Sequence, residues 1–164
     1  MFDFRGIKEF LKGIALYAII FISVLIVVVY VFSFQIVIGD SMNPKYKDNN
    51  VLILSKINYR IFKVNRFDIL SLKWNNQIVV KRVIGLPNEK IEYKNNNLYV
   101  NDELINYNFE TLGNIKDFVI TLKDDEYYVV GDNRKDSIDS RNFGPINKKD
   151  IVGKTIFKIW WQNI

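Results

Sequence analysis

A serine lies in a short turn-forming stretch directly after a long apolar segment. Residues 37–44 read VIGDSMNP, which places Ser41 between an acidic and an apolar residue. Gly39 lets backbone N–H groups approach a bound group closely, and Pro44 restricts the exit of the turn. Such a turn would present the Ser41 hydroxyl as a nucleophile. An ordinary turn after a membrane anchor is the alternative, because short motifs often occur by chance.

The chain contains no histidine and no cysteine. This composition excludes a Ser-His-Asp triad, a cysteine nucleophile, a disulfide, and a zinc site built from His or Cys ligands. A catalytic serine would therefore need a different base, either a lysine of lowered pKa or a carboxylate. Chemistry of this kind requires no metal and no other cofactor, so none is expected.

Lys81 lies in the middle of an apolar, β-branched run at residues 78–86. Alternate side chains of a strand share a face, so Lys81 is predicted to lie between Val79 and Val83. Burial of that face would disfavour the ammonium form and lower the pKa of Lys81, which would make the amine a usable base. The alternative is a lysine at a strand edge whose head group reaches water.

A polar loop at residues 131–145 follows another apolar run and is rich in turn-forming residues. Asp139 and Arg141 are close enough in sequence to pair, and the pair could fix the loop and aim Ser137 inward. A solvated loop is the alternative. Asp132 and Asp139 are the carboxylates that would serve as the base if Lys81 did not.

An N-terminal membrane anchor is predicted before the turn. Residues 1–12 carry Arg5, Lys8 and Lys12 among apolar residues, and residues 13–39 contain no charge. About 20 apolar residues are needed to cross a bilayer as a helix, so we expect a transmembrane helix at 13–36. The positive-inside rule puts segment 1–12 in the cytoplasm and residues 37–164 outside. A cleaved signal sequence has the same polarity, but its apolar core is shorter, roughly 7 to 15 residues.

The rest of the chain is predicted to be all-β. Its apolar runs are short and β-branched, and no sustained helical periodicity follows the anchor. An Asn-rich turn at 95–97 predicts a hairpin between two of these runs. The expected strands lie at 51–54, 68–72, 78–86, 90–93, 98–100, 118–120, 127–130 and 154–161. The formal net charge of +5 is dispersed along the chain, which indicates a solvated surface that favours anionic lipid and does not indicate a nucleic-acid interface.

Three separated motifs resemble those of bacterial type I signal peptidases, in the same order along the chain. They are Gly39-x-Ser41-Met42-x-Pro44 after the span, the KRVIG run that starts at Lys81, and the loop GDNRxxSxDSRxFG that starts at Gly131. Two departures are Phe67, where glycine is usual between Arg and Asp, and Asn88-Glu89, where Gly-Asp often follows the proline.

The resemblance implies a role for each matching residue. Ser41 would be the nucleophile, Lys81 the general base, and Ser137 the hydroxyl that hydrogen-bonds to the lysine and orients it. Asp139 and Arg141 would support the loop as a salt bridge. The oxyanion hole would use the backbone N–H of Ser41, and at Gly39, where some members carry a hydroxyl, help would have to come from backbone or water.

The expected function is that of a single-pass bacterial membrane endopeptidase that removes signal peptides from exported preproteins. Its substrates would carry small residues before the cleaved bond, which would fit shallow pockets lined by Val37, Met42 and Val80. A specialised peptidase of the same family, serving one pilus or conjugation substrate, is an alternative. An inactive membrane-anchored β-domain that only binds partners is the alternative from a different class.

Overall fold

The computed structural model describes residues 4–57, 63–105 and 116–159. Helix α1 (Phe4–Val31) is followed by β1 (Phe32–Ile36), β2 (Val51–Ser55), β3 (Ile69–Trp74), β4 (Gln77–Gly85), β5 (Lys90–Lys94) and β6 (Asn97–Val100). Next come β7 (Glu103–Leu104), β8 (Phe118–Thr121), β9 (Glu126–Val130), the short helix α2 (Ser140–Phe143), β10 (Ile146–Asn147), a 3-10 turn (Lys148–Asp150) and β11 (Ile151–Ile159).

Helix α1 is shifted toward the N-terminus relative to the predicted helix at 13–36. Its stretch Gly6–Val31 is long and apolar enough to be a candidate membrane span, and its most apolar part is not buried within the protein. The helix ends at Val31 because residues 32–36 form strand β1, which pairs with β2 from Phe32 opposite Ser55 to Ile36 opposite Val51. The alternation of exposed and half-buried side chains along β1 is typical of a sheet edge. The apolar run in the sequence therefore contains two elements, a helix and a strand.

The strands form two antiparallel sheets, which confirms the all-β prediction for the part after α1. The larger sheet has seven strands in the order β1-β2-β11-β3-β4-β9-β10, and the smaller sheet has four in the order β7-β6-β5-β8. The predicted hairpin at 90–100 is present as β5 and β6. Strands β1, β7 and β10 were not predicted. The last predicted strand, 154–161, corresponds to β11 as far as Ile159, and residues 160–161 lie outside the described residues.

Strand β4 is the element that carries Lys81, and its two edges are paired differently. Along one edge it pairs with β3 over its length, from Gln77 opposite Trp74 to Arg82 opposite Ile69. Along the other edge it pairs with β9 only from Arg82 onward, with an irregularity between Val83 and Gly85. Among the described strands, none therefore pairs with this edge of β4 in its first half, directly before Lys81.

Three clusters of buried side chains support the sheets. One lies in the large sheet and includes Leu70, Leu72, Val83 and Val129. A second joins the large sheet to the small one. Its members are Ile84, Ile91, Tyr93, Leu98, Val100, Leu122, Tyr128 and Val130. The third, which holds the segment around Ser41, consists of Val37, Met42, Tyr46, Leu52, Leu54, Ile69 and Val80.

Candidate active site

Ser41 lies on a turn that is held against the sheet by the side chain of the next residue, Met42. Met42 is 0% exposed and packs in the third core cluster, so the turn is fixed to the sheet. Gly39 has φ +80, a left-handed conformation that glycine adopts without steric cost. The backbone N–H of Asn43 donates to the carbonyl of Asp40 at 3.0 Å and closes the turn.

Lys81 meets the Ser41 hydroxyl inside the protein. The distance from Lys81 Nζ to Ser41 Oγ is 2.7 Å, and Lys81 is only 3% exposed. Val79 and Val83, predicted to share its face, pack in the cluster of the large sheet. Burial lowers the pKa of Lys81 from 10.5 to about 8, with the charges of Asp139 and Asp132 acting in the opposite direction and that of Arg141 adding to the lowering. A neutral amine within hydrogen-bond distance of a hydroxyl can accept its proton.

Asp139 is the centre of a hydrogen-bonded network in the loop after β9. Its carboxylate is 0% exposed and accepts from both Nε and Nη2 of Arg141, at 2.8 and 2.9 Å. It also accepts from the backbone N–H of Gly131 at 2.9 Å and caps helix α2 through the N–H of Arg141. Burial alone would raise the pKa of Asp139. The hydrogen bonds and charge of Arg141, together with the hydrogen bonds from the Gly131 N–H and the Ser137 hydroxyl, hold that pKa below its ordinary value. The carboxylate of Asp139 is therefore ionised, and both of its oxygens accept hydrogen bonds.

Ser137 belongs to this network and does not make the expected hydrogen bond to the lysine. Its hydroxyl donates to Asp139 Oδ2 at 2.7 Å, while the hydrogen bond of Lys81 Nζ goes to Ser41. Ser137 nevertheless lines the same groove as Ser41 and Lys81. The predicted Asp139–Arg141 pair is present, and it fixes Ser137 through Asp139.

Gly131 lets the loop and the Ser41 turn approach each other. A Cβ atom at this position would lie 2.2 Å from Ser137 Oγ and 2.5 Å from the carbonyl oxygen of Ser41. That carbonyl accepts the backbone N–H of Asn133 at 3.0 Å, which joins the loop to the turn. Sequence reasoning did not assign this role to Gly131, although a glycine directly after a buried strand often marks a close backbone approach.

Asp132 is engaged in a second ion pair. Both of its carboxylate oxygens accept from Arg82, at 2.7 and 2.6 Å, and both side chains are buried. Arg82 alternates with Lys81 along β4, so the pair lies on the opposite face of the strand. A buried carboxylate held bidentately by an arginine is a poor candidate for the base. The sequence had offered no partner for Asp132, since Arg82 lies 50 residues away.

A groove of about 810 Å³ leads to the Ser41–Lys81 pair. It is lined by residues 35–41, Trp74, residues 77–81 and residues 135–138, so the first half of β4 forms one of its walls. Val37 and Val80 line the groove as predicted. Met42 does not, because it points into the core beneath the turn, and its prediction as a lining residue was wrong.

The backbone amides near Ser41 differ in availability. Among the hydrogen bonds between described residues, none uses the N–H of Ser41, so that group can donate to a developing oxyanion. The N–H of Gly39 donates to Asp48 Oδ1 at 2.7 Å and is already occupied. The backbone contribution expected at Gly39 is therefore not available in this conformation. In the described residues, no group of three acidic side chains is placed to hold a metal ion.

The comparisons with known proteins all indicate the same family. A family profile described as "Signal peptidase, peptidase S26" matches residues 7–160. The chain is 41% identical to signal peptidase I V of Bacillus subtilis strain 168, over 70% of this chain and 78% of that protein. It is 34% identical to signal peptidase IB of Staphylococcus aureus, over 93% of this chain and 91% of that protein. A crystal structure of a signal peptidase I from Enterococcus faecalis V583 is similar with a TM-score of 0.50 at 34% identity, covering 57% of this chain and 97% of that one.

Burial of Lys81 predicts a pH-dependent cost to stability. The pKa of Lys81 is lower in the folded chain (about 8) than in the unfolded chain (10.5), so between these values the unfolded chain binds more protons. The free energy of unfolding therefore rises with pH between these two values. The protein is most stable with respect to Lys81 above pH 10.5, and this stability is lost as the pH falls to about 8. Lys81→Met removes the titration, and the stability of the variant relative to wild type should fall by about 3 kcal/mol as the pH is raised from about 7 to above about 10.5.

The measurement is chemical denaturation of both proteins in detergent across this pH range. Lys73→Met is the matched control, since Lys73 is an exposed lysine of the neighbouring strand β3. A stability difference between wild type and Lys81→Met that stayed constant with pH would contradict the lowered pKa.

Proposed function

The chain belongs to the signal peptidase family, peptidase S26, and cleaves signal peptides; we propose that Ser41 is its nucleophile and Lys81 its general base. The observation that carries the proposal is the 2.7 Å distance between Lys81 Nζ and Ser41 Oγ at a buried position. The absence of histidine from the whole chain leaves lysine or a carboxylate as the base. The two carboxylates that were candidates, Asp132 and Asp139, are each paired with an arginine.

Acylation would begin with proton transfer from Ser41 to neutral Lys81. As the proton moves to Nζ, Oγ attacks the carbonyl carbon of the peptide bond, and the N–H of Ser41 donates to the oxyanion. The ammonium of Lys81 then gives its proton to the nitrogen of the leaving chain, and an acyl-enzyme remains. Lys81, neutral again, takes a proton from water as the water oxygen attacks the ester carbonyl. It then returns that proton to Ser41 Oγ as the ester bond breaks and the signal peptide is released.

Ser137 would act on Lys81 from the side of the loop. Its hydroxyl proton is directed to Asp139, which leaves the lone pairs of its oxygen able to accept an N–H of Lys81 during the cycle. Small substrate side chains before the cleaved bond would fit between Val37 and Val80, which are both apolar and line the groove. The open edge of β4 supports binding of the substrate as an extended strand in the groove.

The membrane is proposed to lie against the outer face of β1, β2 and β11. Register places Phe34, Ile53 and Phe157 in one row across these strands, and Phe34 and Phe157 are 72% and 58% exposed. Strand β1 follows α1 without a linker, so this apolar face begins where the helix ends. Such a surface is costly in water and favourable at a bilayer interface. The N-terminus would then be cytoplasmic, and the groove would open near the outer membrane surface, where a membrane-embedded signal peptide ends.

Ser41→Ala should abolish cleavage of several unrelated preproteins by the purified protein in detergent, while its thermal unfolding stays close to that of wild type. The hydroxyl is required for acylation and contributes little to packing. Lys81→Arg should be equally inactive, because arginine stays protonated at any usable pH. Ser33→Ala is the control, a serine of β1 outside the groove, and should retain full activity. Residual turnover by Ser41→Ala within tenfold of wild type would end the assignment of the nucleophile.

Protease added to intact spheroplasts should degrade the β-domain and spare the N-terminal end of α1. Detection uses one epitope tag before residue 1 and a second after residue 164. Permeabilised cells, in which both tags are accessible, are the control. Survival of the C-terminal tag in intact spheroplasts would invert the proposed orientation.

A further inference from the structure

The small four-stranded sheet has no part in the mechanism described so far. It shares a core with the large sheet through Ile84, Tyr128 and Val130, and none of its strands lines the groove. A buried polar contact between Tyr93 and Arg134 nevertheless joins it to the loop that carries Ser137 and Asp139.

Tyr93 and Arg134 are both enclosed by protein. Tyr93, on β5, is 1% exposed, and its ring stacks on Phe118 of β8 with centroids 4.9 Å apart. Arg134 is 3% exposed and donates from Nη1 to the hydroxyl of Tyr93 at 3.0 Å. Burying a guanidinium is costly unless its donors are met, and the hydroxyl of Tyr93 meets the donor at Nη1, which ties Arg134 to the small sheet.

The position of Arg134 in the loop gives the contact its significance. The preceding residues are held by the Asp132–Arg82 pair and by the bond from Asn133 to the Ser41 carbonyl. The two residues that follow, 135 and 136, are exposed and line the groove. Arg134 is therefore the last buried side chain before Ser137, and its hydrogen bond to Tyr93 ties it to the small sheet.

Charges of the site lie close to this contact. Asp139 and Arg141 are both near enough to influence the pKa of Tyr93, which burial raises. The Tyr93 hydroxyl thus contacts Arg134 close to the charges of the Asp139 network. A shift of Arg134 would be transmitted to the Ser137 end of the loop through the turn around it, which is closed by a hydrogen bond from the backbone N–H of Asp136 to the carbonyl of Asn133 at 3.2 Å.

We infer that Tyr93 is a positioning residue, which acts through Arg134 to hold the loop so that Ser137 and Asp139 face Lys81. The small sheet is then a support for catalysis as well as a folding unit. This inference rests on the proposed Ser41–Lys81 mechanism, and it concerns the rate of the chemical step and not the binding of substrate.

Tyr93→Phe removes the hydroxyl and keeps the stacked ring. We expect kcat to fall about tenfold, because small displacements of positioned groups cost one to two orders of magnitude. KM should stay within about twofold, because the walls of the groove formed by residues 35–41 and 77–81 are unchanged. Tyr99→Phe, the same change on the neighbouring strand β6, should leave both constants unchanged. The full chain is assayed in detergent well below its melting temperature, with the folded fraction measured by near-UV circular dichroism.

A double-mutant cycle shows whether Tyr93 acts through Arg134. In an Arg134→Met background, Tyr93→Phe should cost no further activity. Arg134→Lys, which keeps the charge and can still donate to the Tyr93 hydroxyl, should be less impaired than Arg134→Met. If Tyr93→Phe proves unfolded, the comparison of Arg134→Lys with Arg134→Met decides, and equal activity of the two would overturn the inference. A kcat of Tyr93→Phe equal to wild type, or additive losses in the cycle, would also overturn it. The proposed mechanism would survive those results, since its own failure would appear as activity in Ser41→Ala.

Discussion

The burial of one lysine amine is the constraint on which the site depends. A lysine in water holds its proton at neutral pH and cannot accept another from a serine. Strand β4 brings Lys81 into the interior beside the Ser41 turn, and the loss of hydration is the largest cause of its lowered pKa. The sheet must therefore carry a destabilising charge at low pH, and the β3–β4 pairing and the surrounding core supply the stability that holds it there.

The two ion pairs explain how carboxylates can lie near this lysine without cancelling the effect of burial. An unpaired Asp139 or Asp132 would favour the ammonium form and raise the pKa of Lys81. Each carboxylate is instead matched by an arginine, Arg141 or Arg82, at bidentate geometry. Arg141 offsets part of the effect of Asp139 on the pKa of Lys81, so burial remains the largest cause. The carboxylates remain available as hydrogen-bond acceptors that shape the loop. Asp139 serves both purposes, since the same carboxylate holds Ser137, Gly131 and the start of α2.

Local patterns in the sequence predicted most of the strands. The features that were missed depend on contacts between residues far apart in the sequence. Alternation along 78–86 placed Lys81 with Val79 and Val83, and the Asn-rich turn predicted the β5–β6 hairpin. The end of α1 was missed because residues 32–36 continue the uncharged run that the helix begins, and their strand conformation depends on pairing with β2. Met42 was assigned to the groove because sequence gives no depth, whereas its side chain fills the core.

Departures from the family pattern have structural consequences of their own. Phe67 occupies a position where the family usually has glycine, and its φ of 71° is in the left-handed region.

The contacts of Tyr93 with Arg134 and of Arg82 with Asp132 join residues 41 and 50 positions apart, which no local pattern reveals. The proposed chemistry thus comes from residue types and the resemblance, and the contacts that would support it could be seen only in the fold.

The central claim is that Lys81 is neutral when it meets Ser41. The most direct test is an NMR titration of the full chain in detergent, with lysine labelled at Cε and Nζ and the Lys81 signal assigned by its absence in Lys81→Arg. The account predicts a Lys81 resonance that titrates with a midpoint near pH 8, clearly separated from the exposed lysines. A Lys81 resonance that titrates with the bulk of the lysines, near pH 10.5, would contradict it.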